Sequence, residues 1–315
     1  MQKPPLDAAE CNEYKRRQRE WHDSHYRVYS PPLLRAGQAE LFYRTFEHQV
    51  AAALLARSGF LTANKRLRVL FSCIGSGEGL PFWFDHVPVQ EVVGVDISVE
   101  ACRLARRMVN GKIDRSAFIQ ADAESLPFPD ESFDLAIVHN GLHHLTNPEA
   151  GLRELWRVSR GAVIVIEPAD SLLMPLFVRL GIARSHEDSG NEVLRFRKAD
   201  LLSFLGKQED DAQIFYRRYF WYEHPLLSDK LLPHLNHAVG RTFVRFALAL
   251  VNGLFFFLRT KSSAVILKPQ RNEIAQVQSR IKPNLNLESM SEQSHSDAEN
   301  AAVQCRASLV SGITT

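Results

Sequence analysis

The sequence predicts an α/β protein whose sheet is mostly parallel and is covered by helices on both faces. Apolar runs of strand length alternate with helical segments between residues 66 and 168, a pattern typical of parallel sheets that are buried on both sides. Glycines at positions 75, 77 and 79 follow the first of these runs, as they do at the ligand-binding turn of a doubly wound sheet.

The core elements follow from these patterns. Five apolar runs have the length and composition of strands, at 66–74, 91–98, 116–122, 133–140 and 161–168. Residues 99–112 and 147–159 have apolar side chains at helical spacing. Pro148 stands near the start of the second segment, where a helix tolerates proline. Both segments are therefore predicted to be helices that connect parallel strands.

The flanking regions differ from this core. Residues 1–65 are predicted to be largely helical, because apolar residues recur at helical spacing in their second half. We expect strands at 212–223 and 262–269, separated by an apolar helical insert at 224–260. Residues 270–315 are rich in Gln, Asn, Ser and Glu, with few aromatic residues, so they are expected to be a disordered tail.

Composition limits the classes of function. The chain has 315 residues and a net charge of +2, and it has no basic stripe with interleaved aromatics, so a nucleic-acid partner is not expected. Its four cysteines are scattered without a CxxC pair, which argues against a zinc site or a disulfide framework. The N-terminal sequence lacks the apolar core of a secretory signal. We therefore expect a cytoplasmic protein.

The glycine-rich turn indicates a nucleotide-binding corner, because glycine lets the backbone approach a ligand with no Cβ in the way. Asp96 ends the second strand, 19 residues after Gly77 (96 − 77), near the ~20 residues at which an acidic side chain binds ribose hydroxyls. The alternative for Asp96 is a helix N-cap, although Ser98 can serve that purpose. A nicotinamide-dependent oxidoreductase is a second alternative, but its G-x-G-x-x-G pattern is broken by Leu80.

Taken together, the motifs resemble a known family. The runs RVLFSCIGSGEG, VVGVDIS and FIQADAESLPFPDESFDLAIVHNGLHHLTNPEAGLRELWRVSRGAVIVIEP are similar to the class I S-adenosylmethionine-dependent methyltransferases, in particular the group that methylates small molecules. SSAVILKP is similar to the last strand of that fold. The resemblance implies a Rossmann-like sheet with an antiparallel last strand, a helical lid at 1–65, and a methyltransferase domain at 66–269. The insert at 224–260 would then build a substrate pocket or an interface.

The resemblance implies cofactor-binding roles for eight residues, namely Cys73, Gly75, Gly77, Asp96, Ile97, Asp122, Ala123 and Asn140. The glycines would approach the methionine and ribose portions of S-adenosylmethionine. Asp96 would bind the ribose hydroxyls, and Ile97 would pack against the adenine. Asp122 would contact the adenine amino group with help from the Ala123 backbone, while Asn140 would lie near the methyl group.

Two departures from the family pattern bear on activity. The family usually has an acidic residue near the methionyl amine, and the matching position here is Phe71. The first glycine of the motif is replaced by Cys73. Backbone carbonyls around Cys73 and Asn140 could substitute for the missing acid. A non-catalytic cofactor-binding or partner protein is therefore the first alternative to a methyltransferase.

The implied reaction is methyl transfer from S-adenosylmethionine to a small, apolar or aromatic molecule, with O-, N- and C-methylation left open. His143 and His144 follow the fourth strand, beside the expected methyl position. Either could be a general base, or both could line the pocket without acid–base work. His139 is interpreted as a core histidine. No metal site is expected, and the segment 185–190 is interpreted as a solvated loop.

The segment 242–258 is the most apolar part of the insert. One helical stripe is formed by Phe243, Phe246, Leu250, Leu254 and Leu258. The simplest interpretation is a helix buried on the sheet or at a homodimer interface. The alternative is an interfacial helix that makes peripheral contact with lipid, or a pocket for a greasy acceptor.

Overall fold

The computed structural model describes residues 7–29, 38–62, 65–109, 111, 113, 115–171, 173–179, 185–206, 211–221, 232, 238–254 and 259–269. The expected disordered tail at 270–315 lies outside these residues, as do several positions of the insert.

Seven strands form one sheet in the order β3-β2-β1-β4-β5-β7-β6. They are β1 (Leu67–Ser72), β2 (Val89–Asp96), β3 (Arg115–Gln120), β4 (Phe133–His139), β5 (Ser159–Pro168), β6 (Gln213–Tyr219) and β7 (Lys261–Leu267). Strands β1 to β5 pair in parallel, and β7 runs antiparallel to both of its neighbours. The predicted fold class is confirmed. The strand order reverses at β1, between β2 and β4, so a crevice opens beyond the carboxyl ends of these strands.

Nine described helices surround the sheet. They are α1 (Ala8–Val28), α2 (Gln38–Arg44), α3 (Phe46–Arg57), α4 (Leu80–His86), α5 (Val99–Val109), α6 (Pro148–Val158), α7 (Met174–Arg179), α8 (Lys198–Leu205) and α9 (Ala238–Leu254). None of these helices is long and apolar enough to cross a membrane.

The spacing of apolar residues in the sequence does not show where helix α1 begins and ends. Its sequence is polar on nearly all sides, and Gln18 is its one buried residue, so it has no apolar stripe. A capping box fixes its start. Asp7 accepts a hydrogen bond from the backbone N–H of Glu10 at 2.8 Å, and Glu10 accepts one from the N–H of Asp7 at 2.9 Å. The D-x-x-E pattern at 7–10 is therefore the sequence signal for this helix.

Two apolar clusters cover the faces of the sheet. One includes Leu55 of α3, Trp83 of α4 and Ala105 of α5, and it also contains Phe71 of β1. The other includes Leu152 of α6 and other residues from α6 and α8. Phe71 is only 6% exposed, so the position at which the family usually carries an acid is here part of the hydrophobic core.

Helix α9 packs through a face other than the predicted apolar stripe, and the homodimer interface that the sequence also allows stays a prediction. Val244 and Leu248 are buried in a cluster with Tyr43 and Trp221. The described members of the predicted stripe face outward instead. Together with Val239 they are 49% to 78% exposed, and we name this set the α9 stripe: Val239, Phe243, Phe246, Leu250 and Leu254. Burial of this stripe on the sheet is therefore a wrong prediction, and Leu258 lies outside the described residues.

Gly77 makes the turn between β1 and α4 possible. Its φ is +75°, which lies in the left-handed region that favours glycine. A Cβ at this position would lie 2.7 Å from the Cα and 2.8 Å from the Cβ of Ala105. The missing side chain thus allows α5 to pack directly against the turn.

We expect Gly77→Ala to lower the free energy of unfolding by roughly 3 kcal/mol, since backbone strain and a clash add up. Gly111→Ala is the matched control, because Gly111 has a φ of +77° and a Cβ added there would meet nothing within 4 Å. That variant should lose only about 1 kcal/mol. Urea unfolding of both variants measures the difference, and equal losses would contradict the packing role of Gly77.

Candidate active site

A cleft lies beyond the carboxyl ends of β1, β2 and β4, at the point where the strand order reverses. It contains about 670 Å³ of empty space, part of it open to solvent. Seven of the eight predicted cofactor residues line it, namely Cys73, Gly75, Asp96, Ile97, Asp122, Ala123 and Asn140. Gly77 is not in its lining and serves the packing of α5 instead.

Asp96 is the buried carboxylate of this cleft. Its Oδ2 accepts a hydrogen bond from the Gly75 N–H at 2.9 Å, and its Oδ1 accepts one from the Ser98 N–H at 2.9 Å. Burial raises the pKa of Asp96 to about 6, although these two hydrogen bonds oppose the shift. Ser98 itself caps α5, since its Oγ accepts from the Ala101 N–H at 3.1 Å. Asp96 is therefore not needed as the cap.

Helix α1 closes the open side of the cleft. Tyr14, Lys15, Gln18, His22 and Tyr26 all line it, and their spacing places them on one face of the helix. The sequence predicts a lid within residues 1–65 and offers Tyr26 as one candidate to lie near the methyl group, but it does not single out the other four side chains. Four of the five recur at positions 14, 18, 22 and 26, a spacing of four after the capping box that could have identified this face.

Polar contacts hold this helix against the sheet domain. Lys15 Nζ lies 2.7 Å from Asp122 Oδ2 and 2.8 Å from Glu124 Oε2. Further along the helix, the Ser98 hydroxyl donates to Asp23 Oδ1 at 2.5 Å. The helix is thus tied both to the loop after β3 and to the cap of α5.

The turn after β1 brings its backbone close to Tyr26. Gly75 has a φ of +54°, and a Cβ there would lie 2.8 Å from the Tyr26 hydroxyl oxygen. Cys73 and Asn140 also have left-handed backbones, each with a φ of +51°. Left-handed non-glycine residues carry strain that surrounding contacts must offset, and here they lie at the ends of adjacent strands.

A second carboxylate, that of Glu167 at the end of β5, fixes the loop after β4. It accepts hydrogen bonds from the backbone N–H groups of Gly141 (2.8 Å) and Leu142 (2.7 Å), and it lies 2.6 Å from His143 Nδ1. Burial alone would raise the pKa of Glu167, but the charge of His143 and these hydrogen bonds lower it. The positions of Asn140 and His144 both depend on this loop.

His143 does not face the cleft. Its side chain is 2% exposed and lies between Glu167 and Glu187. Burial alone would lower the pKa of His143, but the two carboxylates raise it to about 9. The prediction that His143 is a base in contact with substrate does not fit this placement, because the ring is enclosed and paired.

His144 does line the cleft. Its Nδ1 is paired with the amide of Asn191, and its Nε2 lies 3.2 Å from Glu187 Oε2. Burial, with the neighbouring His143, lowers the pKa of His144 to about 3, so its imidazole is neutral. Its role as a base stays a prediction.

The sequence interpretation places Glu187 in a solvated loop, and its pairing with two histidines corrects that interpretation.

A smaller cavity meets the cleft at Cys73. Its lining combines Phe71, Trp83 and Ile137 with the imidazoles of His48 and His139. Burial lowers the pKa of His48 well below its usual value.

His139 is held by a buried ion pair. Its Nε2 lies 2.6 Å from Glu47 Oε2, and Lys261 Nζ lies 3.0 Å from Glu47 Oε1. Burial alone would raise the pKa of Glu47, but Lys261 and His139 hold it well below its usual range. The contact with Glu47 agrees with the interpretation of His139 as a satisfied core histidine, although part of the ring is exposed.

Comparison with known proteins identifies the family. A model described as a methyltransferase domain matches residues 72–166. The chain is 31% identical over 179 residues to the uncharacterised methyltransferase YcgJ of Bacillus subtilis, covering 52% of this chain and 70% of that protein. It is 36% identical over 93 residues to the ubiquinone/menaquinone biosynthesis C-methyltransferase UbiE of Pasteurella multocida, covering 28% of this chain but only 35% of that protein.

A solved structure agrees on the fold. Magnesium protoporphyrin IX methyltransferase (ChlM) from Synechocystis PCC 6803, with bound S-adenosylhomocysteine, superimposes with a TM-score of 0.50 and 15% identity. The match covers 81% of this chain and all of that one. The sheet topology, the glycine turn and the sequence relatives lead to one conclusion: the chain belongs to the class I S-adenosylmethionine-dependent methyltransferases.

Proposed function

We propose that the cleft binds S-adenosylmethionine and that the chain transfers its methyl group to a small apolar or aromatic molecule. The observation that carries the proposal is the buried carboxylate of Asp96 at the end of β2, held beside the Gly75 turn. An ionised carboxylate there can accept hydrogen bonds from both hydroxyls of a ribose.

The chain's own residues fit the cofactor along the length of the cleft. Asp96 would hold the ribose, and Ile97 would pack against the adenine. Asp122 and Ala123 lie at the far end of the lining, where an exocyclic amino group could be bound. Gly75 leaves space between the two ends, because a Cβ at this position would fill the gap to the Tyr26 hydroxyl.

The methionyl end has no carboxylate in the family's usual position, because Phe71 lies in the core. The carboxylates among the described lining residues are Asp96, Asp122 and Glu124. We propose that the backbone around Cys73 and Asn140 binds the ammonium group instead. Carbonyl groups can accept its hydrogen bonds, although they do not neutralise its charge.

Bound S-adenosylmethionine supplies an already activated methyl group. The protein then has to align an acceptor with that group and to exclude water. Helix α1 covers the cleft and serves the second purpose. Phe71, Trp83 and Ile137 in the lining of the cavity beside Cys73 support an apolar or aromatic acceptor.

Calorimetry with S-adenosylmethionine, S-adenosylhomocysteine and NADH tests the cofactor, and a transfer assay with radiolabelled methyl donor tests the acceptor class. The assay should compare phenols and quinols with polar amines of similar size. Binding of both adenosyl ligands with turnover of the aromatic set is the expected result. Binding without turnover would favour the non-catalytic alternative, and binding of NADH alone would overturn the proposal.

The affinity for S-adenosylhomocysteine should rise with pH through about 6, the pKa of buried Asp96. Below this pH the protonated carboxyl can no longer accept from both ribose hydroxyls, and above it the carboxylate can. Burial lowers the pKa of His22 to about 4 and that of His144 to about 3, so neither group titrates in this window.

Asp96→Asn should therefore bind the ligand roughly 10- to 100-fold more weakly, and with no step near pH 6. Exposed Asp85→Asn is the control and should behave as wild type. Calorimetric titrations between pH 5 and pH 8 measure both effects. A step that persists in Asp96→Asn would assign the titration to another group.

Lys15→Gln should weaken S-adenosylhomocysteine binding roughly 3- to 10-fold, because the partly buried ion pairs that hold α1 over the cleft are lost. Arg16→Gln is the matched control on the same helix, since Arg16 forms its ion pairs with Glu13 and Glu20 of α1 itself. Its affinity should stay at the wild-type value. Equal effects of the two substitutions would show that Lys15 acts only through general charge.

A further inference from the structure

Two histidines and a glutamate meet beside the cleft in a way that methyl transfer does not require. The side chains of His143, His144 and Glu187 each offer one ligand atom, and these atoms lie within 4.8 Å of one another. His143 Nε2 lies 3.1 Å from Glu187 Oε1, and His144 Nε2 lies 3.2 Å from Glu187 Oε2. Both imidazoles thus direct the same nitrogen at one carboxylate.

Each imidazole is oriented through its other nitrogen. His143 Nδ1 lies 2.6 Å from Glu167, whose carboxylate is fully buried. His144 Nδ1 is paired with the amide of Asn191, which is also buried. A carboxylate or amide partner on the far side of the ring is the usual arrangement around metal-binding histidines, where it fixes the tautomer and the ring orientation.

The amide of Asn191 determines which nitrogen of a neutral His144 carries the proton, because it is the partner of Nδ1. Only if the proton is on Nδ1 does Nε2 have a lone pair for a metal ion. As oriented, its Nδ2 faces His144 and its Oδ1 accepts from Tyr14 and Gln18. In that orientation Gln18 Nε2 also donates to the Ser189 carbonyl oxygen at 3.3 Å, and Gln18 Oε1 is buried without a hydrogen-bond partner. Turning both amides exchanges atoms of nearly identical shape and gives up the Ser189 contact. Gln18 Oε1 then accepts from Asn191 Nδ2, and Asn191 Oδ1 accepts from the N–H of His144 Nδ1.

Tyr14 is consistent with the turned amides. Its hydroxyl lies 2.7 Å from the Asn191 side chain and 3.2 Å from the carbonyl oxygen of His144. The hydroxyl can accept a hydrogen bond from the turned Asn191 amide and donate one to the carbonyl oxygen of His144. With this arrangement the lone pair of His144 Nε2 faces the carboxylate of Glu187, and a cation between them would bind both.

We propose that His143, His144 and Glu187 form a site for a divalent transition-metal ion at the edge of the cleft. Two imidazoles and one carboxylate suit ions such as Zn²⁺, Mn²⁺ or Fe²⁺. Three protein ligands leave further positions for water or for an oxygen of a small molecule. Glu187 is partly exposed, which gives an ion access from solvent.

The test uses the full chain, freed of metal by dialysis against a chelator. Titration with Zn²⁺ by calorimetry should give one ion per chain, and Co²⁺ should produce visible absorption bands of a low-symmetry site. Glu187→Gln and His144→Gln should each weaken Zn²⁺ binding by roughly tenfold or more. Glu192→Gln, in the same segment and with an exposed side chain, should bind as wild type.

Circular dichroism of the same samples reports that each protein is folded, and S-adenosylhomocysteine binding is measured beside it. A stoichiometry far below one ion, or a Glu187→Gln variant that titrates like the wild type, would overturn the metal site. Either result with intact S-adenosylhomocysteine binding would leave the proposed function standing. Loss of S-adenosylhomocysteine binding with retained Zn²⁺ binding would support the metal site alone.

Discussion

The buried carboxylate of Glu167 is the constraint on which the active-site end of the sheet depends. An ionised group without water is costly to bury unless it is fully paired. Here two backbone N–H groups and an imidazole surround it. Satisfying this one side chain therefore dictates the path of the chain after β4. It sets the left-handed turn at Asn140 and the place where His144 enters the cleft.

A second buried charge joins helix α3 to strands β4 and β7. Glu47 lies in α3, whereas its partners His139 and Lys261 lie in β4 and β7. Lys261 also reaches the side chain of Asn140, so the two buried carboxylates act on the same turn from opposite sides. Removing either carboxylate would leave a charged partner in a low-dielectric environment, which is usually more costly than losing the pair itself.

The sequence was sufficient for the sheet and for most of the cleft. Continuous apolar strands can be buried only between two layers of helices, and Asp96 could be identified because it ends such a strand. Helix α1 was hard to delimit, because a polar helix that covers a cleft has no apolar periodicity. The helical spacing of apolar residues also identified the stripe on α9, but it could not show that the opposite face of the helix packs against the protein. Glu187 and His143 are 44 residues apart, so no local spacing could show that they meet.

The contact between Ser98 and Asp23 joins two elements with different duties. Ser98 follows strand β2 and caps α5, and its hydroxyl also donates to Asp23 of helix α1. A ligand that enters or leaves the cleft past α1 displaces this helix, and that movement breaks the contact at the first turn of α5. The residence time of a ligand bound in the cleft would then depend on how often the first turn of α5 frays. The movement of α1 would thus be coupled to that helix end.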